Sequence, residues 1–284
     1  MPHIDPQYLN CVAYLYKDKD SAKAGISHGG SGFLMTIPFG REINGENRSH
    51  VYVITNSHVV RDFSSYVIRL NDQFGKRKVI PKKYEDWIDD WDDDDLAACM
   101  LDDTEMRKYK WIAPQPWDLF TEDEYENGLI NIGDDVMMFG RFIGFDGRQQ
   151  NLPVVRFGTV SMWPIEPIKH PSKSRKNLWQ DSFLVECHSI PGTSGSPVFT
   201  TRKDNEGYTI PDKLLGVVWG YPPYRAPILR NKDHNEFANI YAPVPSGVAV
   251  VIPAWNIMNF LNRSDLVNDR KKIEKKAEDE EDNQ

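Results

Sequence analysis

From Tyr8 to Thr200 the chain is built of short apolar or alternating runs separated by Gly, Pro, Asn and Asp. Runs of this kind predict strands, and the breaks between them predict turns. Helical periodicity is scarce in the same stretch. Strands are expected at 12–16, 32–36, 51–55, 65–70, 96–101, 136–140, 154–161, 183–187, 197–200, 214–219 and 248–252. So many short strands favour an all-β barrel or sandwich over an alternating α/β sheet.

The length of 284 residues suits a two-lobed β protein that folds as one unit over residues 1–262. A charged, Pro-containing stretch at 103–131 is expected to connect a first lobe at about 8–105 to a second at about 130–252. An apolar repeat that starts at Pro253 predicts one amphipathic helix. Residues 263–284 are highly charged, which predicts a solvated helix or a disordered tail.

Net charge and cysteine content narrow the partners and the compartment. A formal charge of -8 argues against nucleic acid or an anionic membrane as a partner and leaves proteins or peptides. Cys11, Cys99 and Cys187 are too few to pair completely, which is typical of a reducing compartment. No secretory leader and no apolar run of spanning length is evident, so a cytoplasmic location without a membrane span is expected.

Three separate segments carry residue types that nucleophilic acyl transfer needs: a base, an acid that orients it, and a hydroxyl beside oxyanion donors. His58 follows an apolar strand, Asp95 precedes the apolar pair Leu-Ala, and Ser194 lies in Pro191-Gly-Thr-Ser-Gly-Ser-Pro-Val-Phe. Taken singly, a histidine or an acid beside a strand is more often structural. The Gly-X-Ser-Gly-X-Pro pattern is much rarer by chance, and the order His, Asp, Ser strengthens all three.

With these segments the sequence resembles the chymotrypsin-like serine peptidases, especially the bacterial high-temperature-requirement and glutamate-specific branches. The resemblance covers most of residues 8–261. Further segments in the order typical of that family are Gly30-Ser-Gly-Phe-Leu-Met, Gly133-Asp-Asp-Val-Met-Met-Phe-Gly, Gly158-Thr-Val-Ser, Gly216-Val-Val-Trp-Gly and Gly247-Val-Ala-Val-Val-Ile-Pro. It implies two antiparallel six-stranded β-barrels with the catalytic residues in the cleft between them, followed by the C-terminal helix.

The resemblance also implies a role for each residue. His58 would be the general base and then the general acid, Asp95 would orient it, and Ser194 would attack the scissile carbonyl. The N–H groups of Gly192 and Ser194 would form the oxyanion hole. Among the acids 92–95, Asp95 is chosen because it alone directly precedes Leu-Ala. No cofactor and no metal is implied.

Two positions depart from the family pattern. Thr193 stands where the digestive members carry the acid that pairs with a freed N-terminus, so that activation route is closed. Val218 stands where the glutamate-specific members carry a histidine, so that specificity is not inherited. The expected substrate pocket has His188 at its base, and its other members are Ser189, Val218, Trp219 and Gly220. Because none of these is a carboxylate, strong selection of Arg or Lys is not expected.

Other interpretations stay open at this stage. The domain could be a catalytically silent scaffold that binds partners, or a peptidase that acts once on itself. A regulatory protein partner is a further expectation, because a cytoplasmic endopeptidase must be restrained. The acidic run 84–95 could chelate a hard cation, although it lacks the spacing of a calcium loop. The Pro-rich stretch 221–239 is expected to be a loop beside the pocket.

Overall fold

The structure is a computed structural model that describes residues 4–26, 29–170, 178–203, 207, 209–231 and 236–282. Its first lobe is an antiparallel sheet of seven strands in the order β5-β4-β1-β2-β3-β7-β6. These strands are β1 (Val12–Tyr16), β2 (Ser31–Pro38), β3 (Ser49–Thr55), β4 (Val67–Asn71), β5 (Arg77–Ile80), β6 (Ile88–Asp89) and β7 (Ala97–Leu101). The sheet is a half-barrel instead of the expected closed six-stranded barrel. The two edge strands, β5 and β6, lie in charged sequence that shows no apolar run.

The second lobe is a closed six-stranded barrel in the order β12-β17-β14-β13-β8-β9, as expected. Its strands are β8 (Asp135–Gly140), β9 (Val154–Met162), β12 (Phe183–Glu186), β13 (Pro197–Lys203), β14 (Thr209–Gly220) and β17 (Val248–Pro253). Alternate residues such as Val136, Met138, Phe183 and Val185 form its buried core. This alternation is the period-two pattern from which these strands were predicted. The all-β class is confirmed.

Smaller elements surround the lobes. They are α1 (Lys19–Ala24), α2 (Ser57–Arg61), α3 (Asp103–Met106), α4 (Glu122–Glu126), a short hairpin of β10 (Ile168–Lys169) with β11 (Trp179–Gln180), and 3-10 turns at Pro6–Cys11, Tyr84–Asp86 and Pro116–Asp118. Between the lobes, the connector reaches the second barrel, where the N–H of Phe120 donates to the carbonyl of Leu214 at 2.9 Å. One buried apolar cluster includes residues of both lobes. The lobes therefore share a core.

Two buried arginines link the lobes in opposite directions. Arg141 extends from the second lobe and donates to the carbonyl of Leu15 at 3.0 Å, while its guanidinium also pairs with Asp146 at 2.5 Å. Arg69 extends from the first lobe and donates to the carbonyl of Gln150 at 2.9 Å. Both arginines are fully buried. Such charge-assisted bonds fix the relative position of the lobes and hence the shape of the cleft between them.

In place of the loop expected at 221–239, the described residues form two long paired strands, β15 (Pro223–Asn231) and β16 (Glu236–Pro245), while residues 232–235 lie outside the described part of the chain. Ala226 pairs with Ala242 in its register. The prolines that suggested a loop are compatible with this structure, because a two-stranded ribbon consists only of edge strands, where a missing N–H costs little.

The C-terminal region contains two helices, α5 (Ala254–Leu261) and α6 (Ser264–Asp282). Helix α5 is the amphipathic helix predicted from the apolar repeat. Helix α6 forms within the charged segment and packs on the first lobe through the buried side chains of Leu266, Arg270 and Ala277. These residues recur at helical spacing on one face. None of the helices that the structure describes is long and apolar enough to cross a membrane.

Candidate functional site

His58 lies in helix α2, directly after strand β3, with its side chain 10% exposed. The turn into this helix is held by two buried hydroxyls. Thr55 donates to the carbonyl of Ser31 at 2.7 Å, and Ser57 donates to the carbonyl of Leu96 at 2.6 Å. The backbone that carries His58 is therefore attached to both neighbouring strands of the sheet.

Asp95 lies just before strand β7, which pairs with β3, and its side chain is fully buried. Its Oδ2 lies 2.5 Å from Nδ1 of His58, and its Oδ1 accepts from the main-chain N–H of the same histidine at 3.0 Å. Asp95, and not one of its acidic neighbours, is thus the carboxylate that contacts His58. Two bonds to one residue fix the imidazole in one orientation.

Two residues of the second lobe, His170 and Gln180, also hold Asp95. No pattern in the sequence singles them out. His170 Nε2 lies 3.3 Å from Asp95 Oδ2, and the main-chain N–H of Asp95 donates to Oε1 of Gln180 at 3.0 Å. Both come from the hairpin of β10 and β11. Each of its strands has only two residues, too short for an alternating pattern that sequence could reveal.

The electrostatics of Asp95 follow from these neighbours. Complete burial acts to raise the pKa of Asp95, but the imidazoles of His58 and His170 outweigh it and hold the pKa well below its usual range. The carboxyl is therefore ionised, and an ionised carboxylate only accepts hydrogen bonds. Nδ1 of His58 must then carry a proton, which leaves Nε2 as the ring nitrogen that can accept one.

Ser194 lies in a tight loop framed by two glycines with positive φ, +93° at Gly192 and +84° at Gly195. A side chain at Gly195 would collide with the carbonyl oxygen of Ser31, 1.9 Å from the position of its Cβ. The Ser194 hydroxyl donates to the carbonyl of Trp219 at 3.4 Å. The glycines are thus required both by backbone conformation and by close approach.

Gly30 separates this loop from the helix of His58. A Cβ added at Gly30 would lie 2.6 Å from Cγ1 of Val59 and 3.2 Å from the carbonyl oxygen of Ser194. Val59 is the direct neighbour of His58 in α2. The serine loop and the histidine helix therefore meet across a single glycine, at the boundary between the two lobes.

Three N–H groups of the serine loop donate to main-chain carbonyls, those of Thr193, Gly195 and Ser196. Within the part of the chain that the structure describes, no acceptor is seen for the N–H groups of Gly192 and Ser194. An N–H pair of this kind can stabilise a developing oxyanion.

Ser31 connects the loop to both lobes through all of its polar groups. Its N–H donates to the carbonyl of Ser194 at 2.8 Å, and its hydroxyl donates to the carbonyl of Gly192 at 3.0 Å. The same hydroxyl accepts from the N–H of Arg141 at 3.0 Å, and the Ser31 carbonyl accepts from Thr55. The peptide groups that follow Gly192 and Ser194 are thereby held in place.

The residues expected to form the substrate pocket separate into buried and exposed members. His188 is exposed, because it follows the alternation of β12 and the two residues after it. Phe183, Val185 and Cys187 are buried, whereas Glu186 and His188 are exposed. The exposed position does not suit the base of a pocket.

The other expected pocket residues lie at the second barrel. Ser189 is buried and its hydroxyl lies 2.8 Å from that of Thr193. Val218 and Trp219 are also buried, whereas Gly220 has no neighbouring heavy atom within 4 Å of an added Cβ. Gly220 therefore offers open space beside the Trp219 carbonyl.

The acidic run binds side chains of the protein. Asp89 pairs with Arg61 at 2.8 Å, and Asp90 pairs with Arg263 at 2.7 Å. Asp94 accepts from amide groups of the second lobe and of α5. These contacts anchor the segment that ends at Asp95, so the run has a structural role next to the site.

His58, Asp95 and His170 place ligand atoms within 4.8 Å of one another, which raises the question of a metal ion. The 2.5 Å separation of His58 Nδ1 and Asp95 Oδ2 is that of a hydrogen bond. Two ligands of one tetrahedral zinc ion, with bonds of about 2.0–2.1 Å, lie roughly 3.3 Å apart. The arrangement therefore fits a shared proton and not a metal ion.

Several solved structures have a fold similar to that of this chain. The active form of the Rv3671c protease from M. tuberculosis has a TM-score of 0.50 and 15% identity, with 92% of this chain and 88% of that chain covered. Human heparin binding protein has a TM-score of 0.48 and 13% identity, with 92% and 93% covered. At such low identity the likeness shows the fold alone, which is chymotrypsin-like. No curated protein sequence matches the chain significantly.

The family match rests on the sequence itself. The family model described as the trypsin-like peptidase domain matches residues 30–205, which include His58, Asp95 and Ser194. It supports a peptidase and does not distinguish the two bacterial branches that the sequence resembles. Because the match covers more than half of this chain, the chain belongs to the trypsin-like peptidase domain family.

Proposed function

We propose that this chain is a serine endopeptidase that hydrolyses peptide bonds through an acyl-enzyme, with His58, Asp95 and Ser194 as its triad. The observation that carries the proposal is the bond between Nδ1 of His58 and the buried, ionised Asp95, next to a serine loop framed by glycines. That bond leaves Nε2 of His58 as a base, and Ser194 is the hydroxyl carried by the adjoining loop.

The first half of the reaction forms the acyl-enzyme. The Ser194 hydroxyl, which donates to Trp219 in the resting geometry, turns to Nε2 of His58 when substrate binds. Oγ bonds to the scissile carbonyl carbon while its proton passes to Nε2, and the carbonyl oxygen becomes an oxyanion. The N–H groups of Gly192 and Ser194 donate to that oxyanion. The C–N bond then breaks as His58 returns the proton to the leaving amine.

The second half releases the acid. A water molecule bonds to the acyl carbon while His58 takes one of its protons, and collapse of this intermediate breaks the ester bond to Ser194. His58 then returns the proton to Oγ. Throughout, Asp95 stabilises the transient imidazolium without taking the proton itself, since its pKa lies far below that of an imidazolium.

The direct test is covalent labelling with a fluorophosphonate, followed by mapping of the modified residue. We expect labelling at Ser194, loss of labelling in Ser194→Ala, and a fall in kcat on the order of 10⁶ on a peptide substrate. Ser196→Ala is the matched control, because it removes a buried hydroxyl two positions away for which no hydrogen-bond partner is seen among the described residues. Full cleavage by Ser194→Ala would contradict the proposal, and absence of labelling in the wild type would favour a binding scaffold.

The substrate class and compartment are also part of the proposal. A protein or peptide substrate is in keeping with the acidic net charge of -8. A regulatory protein partner is proposed because no pairing acid stands at Thr193. Cys11, Cys99 and Cys187 are buried free thiols, in keeping with a reducing, cytoplasmic environment.

A further inference from the structure

Two side chains of the second lobe contact Asp95, which belongs to the first lobe. Asp95 precedes β7 of the first lobe, yet Gln180 accepts from its main-chain N–H and His170 contacts its carboxylate. Gln180 also donates to Asp94, the preceding residue. The hairpin of β10 and β11 therefore reaches across the cleft to the acid.

The orientation of His170 is set by its surroundings. Its ring stacks on the indole of Trp219 with 4.8 Å between ring centroids and an interplanar angle of 19°. The indole N–H of Trp219 donates to the hydroxyl of Ser182 at 2.9 Å, which fixes the indole in turn. The main-chain N–H of His170 donates to the carbonyl of Leu178 across the hairpin. His170 is buried, so its position is determined by packing.

The protonation of the three side chains follows from the charge on Asp95. Because the ionised carboxylate only accepts, both Nδ1 of His58 and Nε2 of His170 carry protons, and both point at the same oxygen, Oδ2. A second donor on Oδ2 withdraws negative charge from the atom that stabilises the His58 imidazolium. This effect weakens the hold of His58 on its second proton.

We propose that His170 is a positioning residue of the active site, which fixes Asp95 and sets how strongly the acid favours the protonated form of His58. The inference rests on the proposed peptidase function, with His58 as base. Asp95 and His170 are the titratable side chains seen in contact with His58 in the described part of the chain. Asp94 precedes Asp95, and its charged neighbours include Asp90, Asp93 and Asp181.

The test compares two variants of His170. His170→Phe keeps a ring against Trp219 but removes the donor to Asp95, whereas His170→Gln keeps an N–H donor at similar reach. For His170→Phe we expect kcat to fall by about 10- to 100-fold, as when the partner that orients a functional imidazole is lost. We also expect the acidic limb of the pH–rate profile to move up by about one pH unit, the worth of one charge-assisted hydrogen bond. His170→Gln should restore most of kcat and return the acidic limb of the pH–rate profile to near its wild-type position.

The control is His50→Phe, which removes another buried imidazole. His50 lies at the other end of β3 and pairs with Glu274. This substitution should leave the acidic limb in place. A His170→Phe profile that superimposes on the wild type overturns the inference, as does an equal loss of kcat in both His170 variants with an unmoved limb. That second result would show a packing role alone.

A measurement that needs no turnover separates this inference from the proposed function. The proton uptake of His58 is followed by NMR in the wild type and in His170→Phe, using the full chain. We expect its midpoint to lie at higher pH in the variant. If the wild type is not labelled at Ser194 but the midpoint moves, the peptidase proposal fails and the role of His170 stands. An unmoved midpoint with normal labelling overturns the role of His170.

Discussion

Two histidine–carboxylate pairs lie near opposite ends of strand β3, and they differ in which partner is more deeply buried. In the pair of His58 and Asp95 the acid is 0% exposed and the imidazole 10%, with 2.5 Å between them. In the pair of His50 and Glu274 the imidazole is 1% exposed and the acid 29%, with 2.8 Å between them. The same two chemical groups therefore form two pairs in which a different partner is the more deeply buried one.

The burial pattern decides which group changes its proton affinity. The pKa of Asp95 is far below its usual range, because two imidazoles overcome the cost of its burial. Burial lowers the pKa of His50, and the hydrogen bond to Glu274 offsets this only in part. A fully buried acid beside an imidazole that is 10% exposed provides a base that is ready to accept a proton. A buried imidazole with an accessible acid attaches helix α6 to the sheet.

The sharpest way to separate the two pairs is to replace each acid by its amide. Asp95→Asn should lower kcat by about 10⁴-fold, because an amide can donate to Nδ1 of His58 and stabilise the wrong tautomer. Glu274→Gln should leave kcat within about twofold, since distant sites act independently. Steady-state kinetics on a peptide substrate checks both. Similar losses in the two variants would show that the pairs are not functionally distinct.

Removal of helix α6 tests the second pair together with the other contacts that this helix makes to the first lobe. A chain ending at Arg263 should lose about 2–4 kcal/mol of unfolding free energy, because it no longer buries Leu266 and Ala277 against the first lobe. Its kcat should stay within about threefold of the full chain, since α6 contributes no group to the cleft. Urea denaturation and peptide cleavage measure the two quantities.

Lys272→Ala is the matched control for the truncation, since it changes an exposed residue of the same helix and should alter stability by no more than about 0.5 kcal/mol. A truncated chain that is fully folded but inactive would mean that α6 acts on the catalytic site.

The smallest expected effect is a pH dependence that differs between the pairs. The pKa of His50 lies below its ordinary value of 6.5, so the folded protein binds fewer protons than the unfolded chain as the pH falls through that region. Stability should therefore decrease on acidification below about pH 6.5. The contribution of Asp95 is complete above its ordinary value of 3.8 and is lost only as the pH falls toward its much lower folded pKa.

Denaturation of the wild type and of His50→Phe at about pH 7.5 and 5.5 checks this assignment. Phenylalanine keeps a ring beside Phe39, which stacks on His50 at 4.3 Å, and removes the titrating group. The wild type should lose stability relative to the variant at the lower pH. A constant difference would assign the acid sensitivity to other groups.

Much of the second barrel was predictable from sequence, because strands such as β8 and β17 are short, almost continuous apolar runs that are buried in the fold. The half-barrel was harder, since its edge strands β5 and β6 are short and charged. For helix α6 the sequence predicts only a solvated helix or a disordered tail, because Leu266, Arg270 and Ala277 include only one large apolar side chain. An arginine can bury its stem and hydrogen-bond its head, here to the carbonyl of Leu261 at 2.8 Å, but sequence alone does not show that such a partner exists.

By itself the sequence determined that the loop around Ser194 can adopt its tight conformation, because Gly192 and Gly195 tolerate the positive φ values that other residues resist. It also determined that Asp95 leads into one apolar run of strand type and that His58 follows another. Only the tertiary structure decided that His170 and Gln180 hold Asp95, and that His188 is exposed. The physical reason is range: backbone conformation depends on adjacent residues, whereas the partners of a buried charge come from any segment that the fold brings within about 3 Å.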